Sequence, residues 1–317
     1  VNNPSGVEDQ LVLLALVSEG GLLNYQYAAY SLPLSFAGGR LAMNYGHASF
    51  EVPGTTPVEG RSHNGKLALE LPLVRNRSNR SDLSVGISRT RSNANVSGFT
   101  LNGTSITLLE IGSTYNHVYS NFAVTQLNAS LSTNFDRFTA AERLASSTAS
   151  AIASPGQRMR LEMDAQHSQP LINGISALAR FDLVYSPDPL SDVSQFSLGG
   201  PQSVRGYLPS EVRGDRGFLA SLTLSRGFNL GPMRMTGRVF LDSGKVVCVD
   251  ANASCPTDEP STSSFVETEQ TLTSVGIGAD AQYDRLTFKF DWATQRDEHL
   301  SSDAEDQRFW GSLFVSF

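Results

Sequence analysis

Strict two-residue alternation near the C-terminal end most narrows what this chain can fold into. In Arg285-Leu286-Thr287-Phe288-Lys289-Phe290-Asp291-Trp292 every even position is large and apolar, while Thr287, Lys289 and Asp291 are polar. Phe309, Leu313, Val315 and the terminal Phe317 continue the pattern on a last strand. Successive strand residues point to opposite faces, so each such strand shows an apolar side and a charged one. A soluble sandwich also alternates, but it rarely places aromatic residues so densely at its strand ends. A barrel in lipid requires an apolar exterior and a polar interior. The pattern predicts an all-β fold, a transmembrane antiparallel β-barrel.

Composition permits this and excludes its main competitors. The longest apolar run, Leu11 to Val17, is far shorter than the roughly 20 residues a membrane helix needs. A mean hydropathy of -0.18 suits a barrel, which spreads its lipid-facing surface over every second residue. The net charge of -7 and the absence of a basic block argue against nucleic acid as a partner. Cys248 and Cys255 lie in a segment rich in Asp, Asn, Ser, Thr and Pro, without the His or Cys neighbours zinc would need. A disulfide closing a small exposed loop is expected, which implies an oxidising compartment.

Period-two alternation bounded by turn residues marks about 14 strands. They fall near 9–18, 22–34, 40–52, 62–75, 81–93, 104–117, 121–135, 157–171, 174–188, 217–228, 233–247, 271–283, 285–296 and 307–317. Short turns are expected around 36–39, 76–80, 119–121, 171–174, 229–232 and 283–285. Long polar loops are expected over 53–61, 92–103, 136–157, 191–216, 249–270 and 296–307. Long and short connections thus alternate, apart from a tight first hairpin at 19–21. That asymmetry matches the long extracellular loops and short periplasmic turns of outer-membrane barrels.

One long loop is unlike the others. Phe196-Ser197-Leu198-Gly199-Gly200-Pro201-Gln202-Ser203-Val204-Arg205-Gly206-Tyr207 is too apolar and glycine-rich for a solvated tip, so it is expected to pack on something. In Arg238-Val239-Phe240-Leu241-Asp242-Ser243-Gly244, Val239 and Leu241 take the lipid side, so Phe240 and Asp242 face inward. An inward carboxylate in a partly dry interior needs a cationic partner.

These two segments carry a resemblance. Val204-Arg205-Gly206-Tyr207, preceded by Leu198-Gly199-Gly200, is similar to the tip of the lumen-folded sixth extracellular loop of two-partner-secretion transporters (TpsB type) and BamA-like assembly barrels. Phe240-x-Asp242-x-Gly244 resembles the partner motif on the inner wall of those barrels. The opening Asn2-Asn3-Pro4-x-Gly6-x-x-Asp9 and Gly214-Asp215-Arg216-Gly217 favour the TpsB branch. The resemblance implies that Arg205 pairs with Asp242 and locks the loop inside the barrel. It implies a transporter in the bacterial outer membrane that secretes a large partner protein: an adhesin, a haemolysin or a contact-dependent toxin of TpsA type. Outer-membrane lipid and lipopolysaccharide are its expected surroundings. The family pattern has 16 strands after a plug helix and two POTRA domains. Residues 1–317 are therefore expected to be the barrel domain, without the helix, the POTRA domains and the first two strands.

By parity Arg234, Arg238, Asp280, Lys289 and Asp291 also face inward, and are expected to line the pore or simply to hydrate it. No catalytic site, metal or cofactor is expected. The histidines, His47, His63, His117, His167 and His299, show no ligand spacing, and no Gly-x-Ser-x-Gly elbow occurs. The alternatives left open are a BamA-like insertase, the barrel of a fused autotransporter and, from another class, a diffusion porin.

Overall fold

The structure, a computed structural model, describes residues 2–18, 23–36, 38–52, 58–96, 99–134, 159–190, 194–249, 268–296 and 305–315. Within these the chain is all-β apart from one 3-10 turn, Ile172–Gly174. The strands are β1 (Gln10–Val17), β2 (Leu23–Pro33), β3 (Arg40–Val52), β4 (Val58–Arg75), β5 (Asn79–Val96), β6 (Phe99–Val118), β7 (Val124–Asn134) and β8 (Met159–Pro170). They continue as β9 (Ile175–Tyr185), β10 (Phe196–Leu198), β11 (Val212–Gly214), β12 (Arg216–Leu230), β13 (Met233–Cys248), β14 (Thr268–Tyr283), β15 (Leu286–Gln295) and β16 (Gln307–Val315). All but β10 and β11 form one 14-stranded sheet in chain order, so each strand neighbours the one before it. Among the described residues β1 and β16 are the two ends of that order.

The chain falls into two compact units: Val1–Thr114 with Ser130–Arg160, and Tyr115–Ala129 with Leu161–Phe317. Each shows the two-sided sheet that alternation predicts. In the first unit Leu67 and Leu73 of β4 and Val85 and Ile87 of β5 are exposed on one face. On the opposite face Lys66 pairs with Glu110, which also accepts from Ser88 Oγ at 2.6 Å. In the second unit Val239 and Leu241 are 51% and 46% exposed, while Phe240 and Asp242, which alternate with them, are 5% and 0%. Exposed leucines beside buried carboxylates invert the soluble rule, and only a lipid solvent outside makes that arrangement favourable.

The short turns follow from local chemistry. Asn76 closes the β4–β5 turn by accepting from the backbone of Ser78 at 3.1 Å and Asn79 at 2.7 Å, a side-chain mimic of a backbone turn. The β12–β13 turn places Gly231 at φ 58, where a Cβ is costly.

Two expected long loops are corrected. The segment 53–61 is shortened because β4 begins at Val58, and 92–103 is mostly strand, since β5 runs to Val96 and β6 starts at Phe99. Ser92, Asn93 and Asn95 pair in the β4–β5 ladder. At 18 and 20 residues, β5 and β6 greatly exceed the 9–11 that cross a bilayer when tilted. The alternation of connection lengths therefore rests on 136–157, 191–216, 249–270 and 296–307. The first hairpin at 19–21, all of 136–157, most of 249–270 and of 296–307, and Phe317 lie outside the described residues.

The Asn2–Asp9 segment folds back on β1. Asn3 N–H donates to the Asp9 carbonyl, and Ser5 N–H donates to Asp9 Oδ1 at 3.1 Å. Tyr30 Oη on β2 donates to Asp9 Oδ2 at 2.7 Å. Asp9 is 1% exposed, and burial works to raise its pKa. The hydrogen bonds from Tyr30 and Ser5 outweigh this and hold the carboxyl below the ordinary 3.8.

Candidate functional site

The apolar, glycine-rich loop packs on the polar face of the sheet within the second unit. Its flanks pair as the small antiparallel hairpin β10–β11, with Ser197 opposite Arg213. Leu198, Val204, Tyr207 and Val212 of the loop bury against Leu219 of β12, Val246 of β13 and Leu272 of β14, with Phe196 packed alongside. This apolar cluster lies on the side of the sheet that otherwise carries charge. It explains why so apolar a loop is not solvated.

The loop's base is fixed by the Gly214-Asp215-Arg216-Gly217 motif. Asp215, fully buried, accepts from Leu190 N–H at 2.7 Å and Gln195 Nε2 at 3.2 Å through Oδ1, and from Val249 N–H at 2.9 Å through Oδ2. One carboxylate thus ties together the entrance of the loop, its interior and the end of β13. Arg216 Nε donates to the Ser186 carbonyl at 2.7 Å. Gly217 leaves room for the Phe196 ring, which a Cβ there would meet at 2.5 Å.

At the tip the expected pair forms. Arg205 Nε donates to Asp242 Oδ2 at 2.8 Å and Nη2 to Oδ1 at 2.7 Å, a parallel bidentate fork. The guanidinium also lies 3.3 Å from the centroid of the Phe240 ring, so one strand supplies both the carboxylate and the stacking surface. Asp242 is fully buried, and Arg205 is 12% exposed. The carboxylate survives burial because Ser221 Oγ donates to Oδ1 at 2.6 Å and Ser274 Oγ approaches Oδ2 at 3.5 Å. Removing one partner of such a pair costs about 3–5 kcal/mol, because an uncompensated buried charge remains.

Glycines set the clearances. A Cβ on Gly206 would stand 2.8 Å from Ser274 Cβ. One on Gly244 would meet Leu198 Cδ1 at 2.8 Å, and one on Gly276 would collide with the Phe240 ring and the Trp292 carbonyl. Gly244 of the wall motif is thus where the loop's Leu198 seats.

Four tethers were invisible in the sequence. Gln295 Nε2 donates to the Gly206 carbonyl at 3.0 Å, Trp310 Nε1 to the Arg205 carbonyl at 2.8 Å, and Arg180 Nη1 to the Gln202 carbonyl at 2.8 Å. Ser221 is the fourth, through Asp242. Each reaches the loop's backbone or Asp242 from another strand, and no local spacing marks it.

The other inward residues divide. Arg238 pairs with Asp280, and its Nε donates to Asp291 at 2.8 Å, in a three-strand cluster over β13, β14 and β15. Gly278 admits it, since a Cβ there would strike both Asp291 and Arg238. Arg234 is exposed and joins no such cluster among the described residues, while Lys289 lies 5.5 Å over the Phe314 ring. Cys248 is disulfide-bonded, and Cys255 lies outside the described residues.

The fold has known counterparts. The structure matches CdiB from Escherichia coli with a TM-score of 0.76 at 20% identity, covering 100% of this chain and 58% of that one. It matches CdiB from Acinetobacter baumannii with a TM-score of 0.75 at 16% identity, covering 100% of this chain and 55% of that one. BamA from Haemophilus ducreyi lacking POTRA domains 1-3 matches with a TM-score of 0.69 at 15% identity, over 99% of this chain and 66% of that one. These likenesses establish the fold as that of the outer-membrane β-barrels. The hemolysin transporter protein ShlB of Serratia marcescens is 43% identical over 63 residues, 20% of this chain and 11% of that protein. The chain therefore spans little more than half the length of the CdiB chains and matches a small part of ShlB. The model of the haemolysin secretion/activation proteins ShlB/FhaC/HecB matches residues 2–256, and the chain belongs to that family.

Proposed function

We propose that residues 1–317 are the barrel domain of an outer-membrane transporter that secretes a large TpsA-type partner protein, with the inward loop as the gate of its path. The plug helix, the POTRA domains and two further staves would belong to sequence outside this chain. The observation that carries the reading is the Arg205–Asp242 fork, which holds an apolar loop on a charged wall. The family match supports the same assignment.

The mechanism needs no cofactor or catalytic group. The outer membrane holds no nucleotide, so folding of the client outside would draw the chain through. The wall supplies a hydrated surface on which Arg234, Arg238, Asp280, Lys289 and Asp291 line the path. The lock keeps the loop seated while the path is empty. A pairing of Cys248 with Cys255 would staple the outer end of β13 to the loop that follows it.

The likeness to BamA favours a second reading, an insertase for other barrels. Deletion of the encoding gene separates the two, read by mass spectrometry of surface and culture medium. Secretion predicts loss of one or a few large exported proteins with the other barrels unchanged. Insertase activity predicts a general loss of outer-membrane barrels.

A further inference from the structure

The outward face of β3–β5 carries basic residues that the transport path does not use. Odd positions of β4 face outward: Leu67, Leu69, Leu71 and Leu73 near the Asn76–Asn79 turn, then Gly65, His63 and Arg61. Register sets Arg91 opposite His63, Arg89 opposite Gly65 and Asn93 opposite Arg61 on one side. On the other side stand His47, Tyr45 and Ser49. Arg61, Arg89 and Arg91 are exposed and have no carboxylate partner among the described residues. Tyr45 Oη lies 2.8 Å from His63 Nδ1, and the His47 and His63 ring centroids are 4.4 Å apart.

Where this cluster sits relative to lipid follows from strand geometry. About 9–11 tilted residues cross the hydrocarbon. Counted from Leu73, the apolar stripe on β4 ends near Gly65, beside Tyr45, a residue type that marks membrane interfaces. The next outward positions, His63 and Arg61 with Arg91 and Asn93 opposite them, stand at headgroup height, and Arg89, opposite Gly65, stands one row below at the boundary. They are at the strand ends away from the short turns, hence in the outer leaflet on the outer-membrane reading. Glu51 and Glu59 face each other one row further out, beyond the headgroup level.

We infer that Arg61, Arg89 and Arg91, with the His47–His63 pair, form a binding site for the phosphates of lipid A, the anionic glycolipid of the outer leaflet. Arg91 stands between Arg89 on its own strand and Arg61 on the cross-strand diagonal, each step about 5–8 Å, so the three guanidinium forks span one phosphorylated headgroup. The leucine stripe below takes the acyl chains. This rests on the outer-membrane assignment, not on which client is moved.

The full-length protein, extracted from outer membranes and delipidated, is titrated with lipid A, with lipid A stripped of its phosphates and with phosphatidylglycerol, read by native mass spectrometry. Wild type is expected to hold lipid A in preference to both other lipids. The triple variant Arg61→Ala, Arg89→Ala, Arg91→Ala is expected to bind about 100-fold more weakly, following the usual contribution of each basic residue at an anionic surface. Single Arg→Gln variants, which disturb folding least, are each expected to lose about fivefold. Equal binding of dephosphorylated lipid A, a preference for phosphatidylglycerol, or variants as tight as wild type would overturn the inference. Failure of the outer-membrane reading looks different: a protein with no heat-modifiable, membrane-inserted form.

Discussion

The indole Nε1 of Trp310 donates at 2.8 Å to the carbonyl of Arg205, so the residue that forks onto Asp242 is also held by its own backbone from β16. The loop tip is thus pinned by its side chain to β13 and by its main chain to the last strand. Trp310→Phe keeps the ring and removes the donor. It is expected to cost about 1 kcal/mol, an ordinary net hydrogen bond. Hydrogen exchange should quicken at 204–207 and stay unchanged in β12 and β13.

Arg205→Ala and Asp242→Asn each break the fork, but they leave different remnants. The first strands a fully buried carboxylate and is expected to destabilise by about 3–5 kcal/mol. The two losses should be strongly non-additive in a double-mutant cycle read by denaturant unfolding of the refolded barrel. Arg205→Lys should rescue little, because a point charge neither forks nor stacks on Phe240.

Gly276→Val tests whether the wall was carved for the lock. Its side chain would collide with the Phe240 ring and with the immovable Trp292 carbonyl. A loss of about 3 kcal/mol is expected, at the upper end for overpacking. Loosening of Arg205 should accompany it, visible as new protease sensitivity near 205.

Most of the fold was legible because alternation and turn residues survive in single sequences. All fourteen strands of the large sheet stood where apolar residues recur every second position, as in Leu67 to Leu73. The outer ends of β4, β5 and β6 were missed because Gly60, Gly103 and the polar run Ser92-Asn93-Ala94-Asn95 read as loop. β10 and β11, three residues each, are too short to show a period. At the site, Arg205 and Asp242 were found through their motifs and inward parity. Gln295, Trp310 and Arg180 were not, because they act on the loop from other strands and carry no local mark, and Ser221 was not, because only the β12–β13 register sets it opposite Asp242.

The turn before β1 predicts a pH response. Asp9 has its pKa lowered in the folded chain, hydrogen bonds from Tyr30 and Ser5 outweighing burial. Its contribution to stability is therefore complete above the unfolded value and is lost as pH falls through the lower folded value. Tyr30→Phe removes one holder, so acid loosening of residues 2–10 should begin at higher pH. Carboxyl titration by NMR, wild type against variant, measures the displacement.

Seating of the loop on the wall is most directly tested by a Gly206→Cys, Ser274→Cys pair in a chain whose own cysteines are replaced by serine. The two Cβ positions come within 2.8 Å, so a small shift brings them to disulfide distance. Mild oxidation of intact outer membranes is expected to convert most of the protein to the cross-linked form, with export of the client stopped until reductant is added. Two thiols that stay free and reactive in the inserted barrel would contradict the account.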